Sequence, residues 1–181
     1  MAQPETPVLY KVTGPKGEAI QGGSGHWVPG RWRSVRGKLV ACERGLHVCT
    51  ADQLVLYLGP VIWRVEVDAT RPVLDAGDKW VVSRARVTER VEAWDERTAR
   101  LFAADCAERV LPLFERVRPD DPRPREAIAV ARRYADGLAA DQERAAGAAA
   151  WDAAGAAAEA AAGAAERSWQ SARLRKLLRL P

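Results

Sequence analysis

Histidine, cysteine and phenylalanine are scarce in this chain, with 2 His, 3 Cys and 2 Phe in 181 residues. Cys42 and Cys49 have no second cysteine pair to complete a knuckle, which argues against a standard structural zinc fold. So few cysteines also exclude a disulfide-built secreted scaffold, and reduced thiols are expected. Long strongly apolar runs are missing. The alanine-rich tail is too weakly apolar for a membrane span, which needs about 18 or more apolar residues. No apolar run follows Met1 as a signal peptide would require, so a cytoplasmic location is expected. No Walker-type phosphate loop is present, because neither Gly14-Pro15-Lys16-Gly17 nor Gly22-Gly23-Ser24-Gly25 fits that pattern. A large charge excess is absent too. Lys and Arg number 28 against 24 Asp and Glu, for a net charge of +4 and a pI near 9.2. A balance this mildly basic admits a nucleic acid or an acidic protein as partner and demands neither.

What is present falls into two regions of different period. Residues 1–93 read as β-rich. Val8 to Thr13 alternates and meets the Gly14-Pro15 turn. Lys38 to Ala41 reads as a short strand. Asp52 to Leu58 reads as a short helix capped by Thr50 and ended by Gly59-Pro60. Val61 to Val67 is the clearest strand, with Val61, Trp63, Val65 and Val67 on one face. Lys79 to Val87 reads as one more long strand. Residues 94–181 read as helical. Asp95 is placed to cap a helix from Glu96 to Val117, whose apolar stripe is Leu101, Phe102, Cys106, Val110, Leu113, Phe114 and Val117. Arg125 to Ala135 is a second helix, ended by Gly137. Ala140 to Leu178 is a third, long and alanine-rich, with Trp151 and Trp169 on one face about five turns apart. The expected class is α+β: a small mixed, mostly antiparallel sheet domain, then three helices.

Chemistry is concentrated in Cys42-Glu43-Arg44-Gly45-Leu46-His47-Val48-Cys49. Cys42, His47 and Cys49, with His26 upstream, are the candidate metal ligands. The favoured reading is structural: Gly45 turns the chain, and Leu46 and Val48 pack inward on a short strand. No cofactor is expected. Asp105 draws attention because it sits beside Cys106 on the apolar side of its helix, where a carboxylate needs an arginine or a backbone donor. For partner binding, Trp27, Arg31, Trp32 and Arg33 supply the aromatic and guanidinium anchors that interfaces favour. The basic end Arg173, Arg175 and Lys176 is a further candidate, against a simple helix-dipole role.

Some of these segments resemble known families. Leu9-Tyr10-Lys11, Cys42 to Cys49, Val65-Glu66-Val67 and Asp78-Lys79, within residues 8–90, resemble an uncharacterised domain of bacterial and phage proteins. Residues 97–137 resemble the helical segment of bacterial immunity proteins, through Ala104 to Phe114, Arg123 to Ile128 and Ala131 to Gly137. These resemblances imply a non-catalytic accessory protein of phage or inter-bacterial conflict, of immunity or anti-defence type, that acts by binding another protein. A fainter likeness joins Gly45 to Cys49, Tyr57 and Val61 to Val67 to the centre of ADP-ribosyltransferases. It implies an alternative, an enzyme fold acting on NAD or a nucleotide, with Lys11, His47 and Tyr57 as its site. Lys11 departs from that family, which carries His or Arg there, and no clear catalytic carboxylate follows.

Overall fold

The computed structural model describes residues 7–138 and 164–181. They divide into two compact units. One runs to Trp94 and includes Leu178–Pro181, and the other runs from Asp95 to Leu177.

The first unit is a sheet. Its strands are β1 (Leu9–Thr13), β2 (Arg33–Ser34), β3 (Leu46–Thr50), β4 (Val61–Val67), β5 (Val73–Asp75), β6 (Trp80–Val82) and β7 (Arg84–Arg90). The order across the sheet is β2-β7-β4-β1-β3-β6-β5. Every strand pairing among the described residues is antiparallel. Strands β6 and β7 are separated by Ser83 alone, yet three strands lie between them in the sheet. The sheet must therefore curl strongly on itself. Its interior is filled by Leu9, Trp27, Leu46, Val48, Val82, Ala85 and Val87. Trp63, Val65 and Val67 pack against this cluster, as the alternation along β4 predicts.

Three expectations are corrected here. Lys79 to Val87 is two strands, because Val82 pairs with β3 and β5 while Arg84 and Ala85 pair with β2 and Ala85 with β4. Lys38 to Ala41 forms no strand, only a single bridge from Val40 to Arg44 across a turn. The helix over 52–58 shrinks to a 3-10 turn at Leu54–Leu56. Thr50 does not cap it. Its N–H instead donates to Gln53 Oε1 at 2.9 Å.

The second unit holds α1 (Glu96–Val117), α2 (Arg123–Ala135) and α3 (Ala164–Leu178), whose last residue belongs to the sheet unit. Asp95 caps α1 as expected, its Oδ1 accepting from the Thr98 N–H at 2.7 Å. Gly137 ends α2 at φ +72, a conformation that costs glycine little. Ala104, Ala107 and Leu111 of α1 pack on Ile128 and Ala131 of α2. That seam differs from the expected stripe. Phe102 and Val110 are buried, but Leu113 and Val117 are 48% and 75% exposed. Alanines occupy the seam because small side chains let two helices approach closely. Of the long third helix, residues 140–163, Trp151 among them, lie outside the described residues. No helix among the described residues is long and apolar enough to cross a membrane.

Candidate functional site

Gly45 answers the question posed by the cysteine–histidine stretch. It sits at φ +147, and a Cβ there would meet Val81 Cγ1 at 2.1 Å. Only glycine fits between this turn and β6. The chain then enters β3, where Leu46 and Val48 point into the core. Cys49 is buried, with its thiol 3.7 Å from the Tyr10 carbonyl, and burial pushes it up to about 12. A thiol so placed is a poor nucleophile. Cys42 is not buried with it. It stands exposed at φ 64 on the turn, and its N–H donates to His47 Nε2 at 3.1 Å. That bond makes Nε2 the acceptor and places the ring proton on Nδ1. Burial, with Lys11 second, lowers the His47 pKa, so the imidazole is neutral near pH 7. His26 is exposed. Among the described residues no three His, Cys, Asp or Glu side chains come together as a metal site.

A cleft of about 540 Å³ opens beside this turn. Lys11, His47 and Tyr57 all line it, as do Trp27 and Arg33. Lys11 Nζ donates to the His47 carbonyl at 3.0 Å and lies 5.6 Å from the Trp27 ring centre. Arg33 lies 4.9 Å from the same ring and donates to the His26 and Ser24 carbonyls. Tyr57 donates to Asp78 at 2.6 Å, and Lys79 pairs with the same oxygen at 3.0 Å.

The residues expected to anchor a partner divide sharply. Trp27 is 4% exposed and belongs to the core, which corrects its reading as a surface anchor. Burying the ring removes a large apolar area from water while its face still takes two cations. Trp32 is half-buried under the guanidinium groups of Arg84 and Arg86, at 4.5 and 4.8 Å. Arg31 is exposed and Arg33 half-buried.

In the helical unit, Asp105 is the residue around which α1, α2 and α3 are organised. It is buried, and its two oxygens accept from Arg132 at 2.8 Å and Arg173 at 2.6 Å. Arg132 also reaches Glu108 at 2.6 Å. Arg173 is thus an internal partner, not a free surface cation, which corrects its place in the expected basic patch. Arg175 is half-buried and Lys176 exposed. Arg109 binds Glu166 at 2.8 Å and stacks on Trp169 at 4.6 Å. An open groove of about 700 Å³ runs along Pro112, Trp169 and Lys176. The sequence pointed to Asp105, because a carboxylate on an apolar stripe needs a partner. It gave no sign of which arginines would supply one.

Fold and sites define a two-unit α+β protein with a cationic cleft in a curled sheet and a helical unit cross-tied by ion pairs. Residues 89–174, most of that helical unit with the end of β7, match the family model described as Imm-5 like putative immunity protein. No curated protein and no solved structure matches the chain.

Proposed function

We propose that this chain is an immunity-type protein that neutralises another protein by binding it through the helical unit. The observation that carries the reading is the family match over residues 89–174. The setting would be phage or inter-bacterial conflict, and the action non-catalytic. The surface supports a docking role. Leu113 and Val117, one helical turn apart on α1, stand exposed. Exposed apolar side chains one turn apart on a helix suit a protein face with an apolar centre. The chain tagged and purified from cells that contain its partner should retain one polypeptide. Leu113→Glu with Val117→Glu should abolish that retention without changing the circular dichroism spectrum. Equal retention by the double variant would remove this surface from the interface.

One observation favours the enzymatic alternative: Lys11, His47 and Tyr57 line a single cleft. Against it, Tyr57 is tied to Asp78 and His47 Nε2 to a backbone N–H. Incubation with labelled NAD and cell extract separates the readings. Label transfer lost in Tyr57→Ala would favour the enzyme.

A further inference from the structure

Among the described residues the two cations on the Trp27 ring have no counter-charge. Lys11 makes one hydrogen bond, to the neutral carbonyl of His47, and no ion pair among the described residues. Its ammonium has three N–H groups, so two are left for another acceptor. Arg33 spends two of its five N–H groups on neutral carbonyls and likewise meets no carboxylate among the described residues. The acidic groups nearby do not serve. Asp78 is taken by Lys79 and Tyr57. Glu43 lines the cleft from the exposed turn and makes no ion pair among the described residues. Cys49 stays a neutral thiol, as noted above.

Desolvating an ammonium beside a guanidinium without an anion is costly, because each charge loses water and repels the other. Burial, more than any other cause, holds the Lys11 pKa below its usual value, and Arg33 adds to that. A cleft built this way is poised for an anion that neutralises both groups.

We propose that this cleft binds a phosphate monoester, with Lys11 and Arg33 holding the phosphate and the remaining space holding a small organic group. A monoester carries a charge of about −1.5 to −2 near pH 7, which matches the two cations. The cleft volume lies in the range of small-molecule sites. Gly22, Gly23 and Ser24 form part of its wall, so a ligand can approach the backbone closely there. This site lies within the sheet unit and is independent of the helical docking surface proposed above.

The test is calorimetric titration of the full chain with AMP, glucose 6-phosphate, inorganic phosphate and succinate. At least one monoester should bind more tightly than inorganic phosphate and more tightly than succinate. Lys11→Met and Arg33→Gln should each weaken it about tenfold or more, the loss expected of one charged hydrogen-bond donor. Arg71→Gln, an exposed arginine elsewhere on the sheet unit, should leave binding unchanged. Circular dichroism checks that the variants fold, and if Lys11→Met does not, Arg33→Gln decides alone. The proposal is overturned by no binding of either monoester at millimolar concentration. It is equally overturned by succinate binding best, or by unchanged affinity in a folded cleft variant.

Discussion

The sheet unit and the helical unit are held together by different physics. Inside the sheet, Leu9, Leu46, Val48, Val82 and Val87 touch one another around Trp27. Between α1 and α2 the contact is mostly alanine, with Leu111 and Ile128 the large members. Alanine buries little area, so this seam gains much less from the hydrophobic effect than the sheet core does. The helical unit adds directional pairs: Asp105 with Arg132 and Arg173, Arg109 with Glu166, and Arg97 with Asp136 at 2.7 Å. Apolar packing is tolerant of direction, whereas a carboxylate held by two guanidinium groups fixes where three helices lie. Leu113 and Val117 of α1 stand exposed on this unit.

Breaking the central pair should therefore cost most. Asp105→Ala leaves the partly buried Arg173 without its counter-charge and Arg132 with Glu108 alone, and should destabilise the helical unit by about 3 kcal/mol or more in urea unfolding. Asp105→Asn should recover part of this through neutral hydrogen bonds. An effect no larger than that of an exposed pair would show that packing, not charge, sets the helices. In the sheet, Leu9→Ala should cost roughly 3 kcal/mol by leaving a cavity, and that loss should not change with salt. Added salt should lower the stability of the helical unit instead, by a few tenths of a kcal/mol for each exposed pair. Equal salt response in the two units would dissolve the comparison.

A smaller effect separates the cap from the core. Asp95→Ala should cost about 1 kcal/mol. The Thr98 backbone N–H, the largest cause, holds the Asp95 carboxyl below its usual range. The folded pKa is depressed, so the contribution is complete above the unfolded value near 3.9 and fades as pH falls through the folded value. Unfolding followed by α1 helicity between about pH 5 and 2 should show this loss in the native chain and not in Asp95→Asn.

These features were unequally legible in the sequence. The Asp95 cap and the Gly137 stop could be read because each depends on chemistry within one turn of its own helix. The β4 strand could be read because its alternation is undisturbed. The break at Ser83 could not, since it depends on which distant strands pair with Val82 and Ala85. Thr50 and Gly59-Pro60 bracket residues 52–58 as a cap and a stop would, yet the chain forms only the turn at Leu54–Leu56. Gln53 diverts the Thr50 N–H, and Asp78, far along the chain, holds Tyr57. The cleft gathers Lys11, Arg33, His47 and Tyr57 from separate elements, so no local motif announces it.

The proposed role is neutralisation by binding. The decisive measurement is growth of a host that expresses the captured partner alone, with this chain, or with the Leu113→Glu and Val117→Glu double variant. Growth should stop with the partner alone, recover with the native chain and stay arrested with the double variant. A partner that does no harm by itself, or harm that persists beside the native chain, would contradict the account.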